Sequence, residues 1–362
     1  MQLSLALLLW FSAAQTAGST CADPKQHPKL QPILELMDKL PRAAESVWRN
    51  YRPAEQTYVF FLKDAATEGA CATVWSNGRV VKTLALVAPP SLQTPLYGFH
   101  VAPSLPAPNR WRQPDAISKQ LLDAGVQRAV LVPVEPEIKL PFPLAPRHLA
   151  DIAIHEGFHV NIQAPSWAGT SPTADWPWWN KRHPDRQELV AKCYGDGKAI
   201  DTEKEHLLRA VRTALSGGDQ PSVCSAAKDF IRSRGERWAG LGTTTINVSE
   251  DVASKTQDAR PASCSEGESV MELEEGTADF VAWMTAFNVG MVTQEQLLSR
   301  FGATQKDRFY LTGAMQLTLL RHLLGADFPT VPAKIIAEKS WDTGAIFTRL
   351  VSEVSARCGT PK

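Results

Sequence analysis

The sequence predicts an α+β fold, with a small N-terminal β-sheet followed by a mostly helical body. Three observations predict it. Between 56 and 134 the apolar residues fall in short β-branched and aromatic runs separated by turn residues, as strands do. From 147 onward they recur every three or four positions over long stretches, as helices do. Within the first of those stretches stands His155-Glu156-Gly157-Phe158-His159, an H-E-x-x-H pattern that has chemical meaning on a helix.

Taken in order, residues 1–19 read as a signal peptide. Leu3 to Ala13 form an apolar run too short to span a membrane comfortably, and the small residues Ala14, Ala17, Gly18 and Ser19 follow it. No later stretch is long and apolar enough to cross, so an exported chain, secreted or periplasmic, with no stable membrane insertion is expected, a membrane anchor at the N-terminal run being the alternative. An N-terminal portion, 20–146, then carries the sheet. Residues 29–51 look helical, while 56–63, 71–75 and 79–87 read as strands. Ser76-Asn77-Gly78 is a tight-turn signal, so 71–87 is expected to be a hairpin. Proline-rich coil covers 89–114, Asp115 starts a short helix, and 128–134 is a further strand.

The next portion, 147–290, holds the motif helix at 147–163, introduced by Pro146 and closed by Pro165. After it come Trp167, Trp176, Trp178 and Trp179 in a loop. They either pack that loop on the core or form an apolar wall that selects large side chains. Helical patterns at 203–215 and 222–234 make an insert, 238–267 reads as a surface loop, and 268–288 is a second site helix. The last portion, 291–362, is helical at 292–300, 306–324, 328–339 and 343–357.

Charge excludes some partners. Lys+Arg 38 balance Asp+Glu 38, so no net field points to nucleic acid or to an anionic membrane. The six cysteines contain no C-x-x-C pair, which argues against a cysteine-based metal or redox site. In an exported chain they are expected to form disulfides, with Cys193–Cys224 the pairing expected inside the insert. Asn247-Val248-Ser249 is a glycosylation acceptor where the source cell performs that chemistry.

The chemistry centres on the motif helix. Leu149, Ala150, Ile152, Ala153, Ile154, Phe158, Val160 and Ile162 make it apolar on nearly every side, so it is expected to be buried. Two histidines four positions apart share a face and can reach one ion, and Glu156 is then placed to take a proton from water on that ion. Buried polar groups need partners, and a cation is one. A zinc site needs a third protein ligand. The H-E-x-x-H-x-x-G-x-x-H form fails, because Ile162 and Pro165 stand where Gly and His are needed. That leaves a carboxylate from a second helix, best sought in Glu272-Leu273-Glu274-Glu275-Gly276-Thr277-Ala278-Asp279. Glu275 can ligate while Asp279, four positions on, accepts the free N–H of a ligand histidine; Glu274 is an alternative ligand. Gly276 costs a helix about 1 kcal/mol against Ala, so it is expected where another helix approaches closely.

His155-Glu156-x-x-His159 followed by Glu275-Gly276-x-Ala278-Asp279 resembles the gluzincin zinc metallopeptidases, the thermolysin-like and aminopeptidase-like enzymes, over roughly residues 150–290. The resemblance implies a zincin-like fold in which the sheet precedes the motif helix and one edge strand lines the cleft. It implies His155, His159 and Glu275 as ligands of one zinc per chain, Glu156 as general base and Asp279 as the acid behind a ligand histidine. This chain departs from the best-known members in the 116 positions from His159 to Glu275. Tyr310 and His322 are candidates for the donor that stabilises a tetrahedral oxyanion. The expected function is therefore a secreted zinc-dependent peptidase acting on a peptide or protein. A zinc hydrolase of another amide or ester is an alternative, as is an exported binding protein on the same scaffold.

Overall fold

Tyr58-Val59-Phe60-Phe61-Leu62-Lys63, strand β1, alternates its side chains between two apolar environments. Tyr58, Phe60 and Leu62 enter the main core, and Val59 enters a smaller one with Ala72, Val74, Leu86 and Leu131. A strand buried on both faces belongs at the centre of a sheet, and β1 lies there. The other strands are β2 (Gly69–Ser76), β3 (Arg79–Val87), β4 (Phe99–Val101) and β5 (Ala129–Pro133), in the order β3-β2-β1-β5-β4. β1 and β5 run parallel, and the remaining neighbours are antiparallel. The expected hairpin joins β2 and β3, with Asn77 at φ 52° and Gly78 at φ 74°, the double positive φ that a two-residue turn needs.

The structure, a computed structural model, describes residues 21, 23–63, 69–87, 99–101, 120–121, 123–126, 129–134, 145–163, 183–184, 186–194, 197–246, 248–249, 261–303, 308–331, 334–335 and 345–359. The signal-peptide reading of 1–19, the start of a helix at Asp115, the four tryptophans between 167 and 179 and the acceptor Asn247 lie outside those residues. Among the described residues no helix is long and apolar enough to cross a membrane.

The single helix expected over 29–51 is two, α1 (Gln31–Met37) and α2 (Leu40–Val47). Pro41 opens the second, where its missing N–H costs nothing. Both pack on the helical body that carries the site. The motif helix α3 (Pro146–Phe158) starts at the proline, as expected, and widens into a π-turn at His159–Gln163. Trp48 and Tyr51 meet Phe158 edge-on, at 4.8 and 5.4 Å between ring centroids. The glycine inside the motif has a packing reason. A Cβ on Gly157 would lie 2.6 Å from both Gln56 Oε1 and the Tyr51 hydroxyl.

The insert is a helical hairpin of α4 (Lys198–Leu215) and α5 (Gln220–Leu241). Glu203 meets Arg237, His206 meets Ser233 and Arg209 meets Asp229, a descending register that shows the two helices antiparallel. The loop expected at 238–267 begins later, because α5 continues to Leu241. Two short strands, Thr245–Ile246 and Ala262–Ser263, then pair with each other. The second site helix runs as α6 (Cys264–Met271), a π-turn (Glu272–Gly276) and α7 (Thr277–Asn288). Ser263 caps it, accepting from the Glu266 N–H at 3.2 Å while Glu266 Oε2 accepts from the Ser263 N–H at 2.7 Å. Beyond it lie α8 (Gln294–Gly302), α9 (Arg308–Leu324) and α10 (Ala345–Cys358). A 3-10 turn at Gly325–Thr330, containing Pro329, covers the start of the helix expected over 328–339.

All six cysteines pair, as Cys21–Cys71, Cys193–Cys264 and Cys224–Cys358. The Cys193–Cys224 bridge expected from the sequence does not form. Cys193 packs with Tyr194, Ile200, Ile246, Cys264 and Phe309 beside the start of α6. Cys224 is instead tied to the end of α10, where Lys228 Nζ also donates to the Cys358 carbonyl at 2.6 Å.

Candidate metal centre

α3 packs against α7, and their contact brings the motif histidines to the second site helix. His155 Nε2 lies 3.1 Å from His159 Nε2 and 3.3 Å from Glu275 Oε2, and His159 Nε2 lies 3.5 Å from the same oxygen. Two nitrogens and one carboxylate oxygen thus form a small triangle. Ligands held at about 2.0–2.1 Å in a tetrahedron stand about 3.3–3.4 Å apart, so this triangle has the dimensions of one face of such a site. His155, His159 and Glu275 can hold a metal ion. Glu274 is not part of the cluster, and Glu272 is engaged elsewhere.

The groups behind the triangle set its charge. His155 Nδ1 is 3.2 Å from Asp279 Oδ1, the distance at which a carboxylate behind a ligand histidine would stand. Arg300 approaches the other Asp279 oxygen at 3.6 Å and lies over the Trp283 ring. Burial opposes a charge on His155, but the hydrogen bonds to Asp279 and Glu275 outweigh it and push its pKa up to about 10. His159 is raised against the same opposing burial, by Glu275. Without a cation the site therefore attracts protons in its place. Asp151, one turn before His155, is pushed up to about 7 by burial, with Asp279 adding to the effect and Arg147 opposing it.

Behind His159 the acceptor is an amide. Gln163 Oε1 faces His159 Nδ1 within hydrogen-bond distance, and Gln163 Nε2 reaches Leu273 O at 3.2 Å, Glu274 O at 2.8 Å and Thr277 Oγ1 at 2.6 Å. One buried side chain therefore spans both site helices. Gln163, Asp151 and Arg300 are site neighbours that the reading of the sequence missed. The signal for two of them is present, because Asp151, His155, His159 and Gln163 recur every four residues along an otherwise apolar helix.

A buried ion network anchors the second site helix. Arg234 holds Glu272 with both terminal nitrogens, at 2.8 and 2.6 Å, and donates through Nε to Glu203 at 2.8 Å. Arg237 holds Glu268 in the same two-pronged way, at 2.7 and 2.6 Å, and also reaches Glu203. Thr312 and Gln316 on α9 donate to Glu272 at 2.7 and 2.8 Å. Glu272 is thereby filled with donors at the first position of the turn that carries Glu275.

Of the remaining candidates, Glu156 is buried on α3 beside His155. The half-buried Tyr310 stacks near His155, with 6.1 Å between ring centroids. His322 is exposed, twelve positions further along α9 or about 18 Å by helical rise, away from the site.

Compared with known proteins, the chain matches no family model, no curated protein and no solved structure.

Proposed function

We propose that the chain is an exported zinc-dependent peptidase of gluzincin type on a zincin-like fold. The observation that carries this reading is the meeting of His155, His159 and Glu275 donor atoms at 3.1–3.5 Å, with Glu156 between the two histidines in sequence. Two imidazoles and one carboxylate are a zinc donor set that leaves a coordination position for water or substrate. Bound there, zinc supplies a Lewis acid that acidifies water and polarises a carbonyl.

The chain's own residues do the rest. The Glu156 carboxylate takes the proton of the attacking water and returns it to the leaving amine. Asp279 keeps the His155 proton on Nδ1, so that Nε2 presents its lone pair. The Tyr310 hydroxyl is the donor for the developing oxyanion, on a ring that already stacks near His155. Export fits three disulfides, which persist in oxidising compartments, together with the apolar run at 3–13.

The test is the metal content of the purified chain for wild type and Glu275→Gln, followed by a peptide-library digest with Glu156→Ala as control. About one zinc per wild-type chain, lost in Glu275→Gln, and cleavage abolished by Glu156→Ala are expected. Zinc with no peptide cleavage would shift the substrate to another amide or ester. A wild-type chain that takes up no zinc would sink the reading.

A further inference from the structure

We infer that Gln163 is a positioning residue of the metal centre: it fixes the proton of His159 on Nδ1 and locks the helix carrying Glu275 to the helix carrying the histidines. The inference rests on the reading of His155, His159 and Glu275 as a metal site.

The argument is one of donors and acceptors. The Leu273 and Glu274 carbonyls can only accept, so the Gln163 atom facing them must be the amide nitrogen. Thr277 Oγ1 donates to the Leu273 carbonyl at 2.6 Å, which leaves its lone pairs for the same nitrogen. The amide cannot flip without setting its oxygen against these acceptors. Gln163 Oε1 must then face His159, and an oxygen acceptor there requires the hydrogen on Nδ1. His159 Nε2 is left as the lone-pair nitrogen, and it is the atom 3.1 Å from His155 Nε2 and 3.5 Å from Glu275 Oε2. The same amide grips the carbonyl of Glu274, next to the carboxylate ligand, so one side chain sets the spacing between ligands on two helices. Gln163 is fully buried, which keeps water from competing for any of these bonds. An amide also does this without adding charge, in a pocket that already holds Glu156, Glu275 and Asp279.

The experiment compares wild type, Gln163→Met and Gln163→Glu. Zinc affinity is measured by competition with a chromophoric chelator, and the ring N–H resonances of the zinc-loaded proteins are recorded by NMR. Gln163→Met is expected to weaken zinc about 10–100-fold and to abolish the slowly exchanging His159 Nδ1–H signal. Gln163→Glu keeps an acceptor oxygen for His159 but loses the donor to the Leu273 and Glu274 carbonyls, so it is expected to keep that signal while zinc stays weakened. Should Gln163→Met fail to fold, the Glu variant decides alone: the signal kept supports the role and the signal lost overturns it. Zinc held by Gln163→Met to within about twofold of wild type, or weakened with the His159 signal intact, overturns the inference while leaving the metal site standing. A wild-type chain that binds no zinc overturns both.

Discussion

Gly276 and Gly313 meet backbone to backbone where the second site helix crosses α9. A Cβ on Gly276 would stand 2.6 Å from Gly313 Cα, and one on Gly313 would stand 2.8 Å from Gly276 Cα. Neither helix has room for a methyl group. Gly276→Ala or Gly313→Ala is expected to destabilise the protein by about 1–3 kcal/mol, although Ala is the better helix former. Glu275 adjoins the crossing, so zinc affinity is expected to fall as well. Urea denaturation with and without zinc measures both effects.

Arg234 is the centre of the ion network behind Glu275. In Arg234→Met, buried Glu272 loses its two-pronged partner and Glu203 is left with Arg237 alone. The expected cost is about 3–5 kcal/mol. Adding Glu272→Gln is expected to recover part of it, because the two positions share one interaction. A double-mutant cycle on denaturation midpoints checks this.

Metal uptake is expected to release protons. The metal-free site holds His155 charged up to about pH 10, through Asp279 and Glu275 working against burial. Each imidazole must lose its Nε2 proton to bind a metal. Calorimetric titration of zinc in buffers of different ionisation enthalpy is expected to show about one to two protons released near pH 7, with affinity rising as pH rises. For the metal-free protein the sign is opposite. A histidine pKa raised from 6.5 to about 10 stabilises the fold fully below 6.5, and that contribution is lost as pH rises through 10.

Asp151 predicts a dependence on pH in the acid range. Its carboxyl is pushed from 3.8 up to about 7 chiefly by burial, and its Oδ1 has no hydrogen-bond partner among the described residues. Between those values the folded chain holds a proton that the unfolded chain has lost, so stability falls as pH rises across the window. Asp151→Asn removes the titration. Measured on metal-free protein, the variant is expected to gain on wild type from pH 4 to pH 8, by about 1–3 kcal/mol at the upper end. Equal stabilities across that range would refute the assignment.

Much of this was legible in the residues. The apolar run from Tyr58 to Phe61, the Asn77-Gly78 turn and the motif helix are local patterns, and each formed as read. Gly276 showed its close neighbour through the cost of a glycine in a helix. Glu275 and Glu274 could not be separated, because neighbouring residues point about 100° apart on a helix and the π-turn at 272–276 changes that rotation. The ion network was invisible for a related reason. Glu203, Arg234, Arg237 and Glu268 look like solvated helix faces until α4, α5 and α6 are brought together. Disulfide pairing depends on the same long-range packing, so spacing alone misassigned Cys193. Asp151 and Gln163 continue the four-residue spacing of the motif histidines in both directions, but both lie outside the H-E-x-x-H pattern itself.

The distance from His159 to Glu275 along the chain also sets an order in time. A ribosome adding about 5–20 residues per second takes roughly 6–23 s to cover those 116 positions. Throughout that interval the histidine pair exists without its carboxylate partner, and the insert helices must emerge before α6 can dock on them. The centre is thus assembled late in synthesis. A chain halted before Glu275 carries the recognisable motif and only two of the three residues that could hold a metal ion.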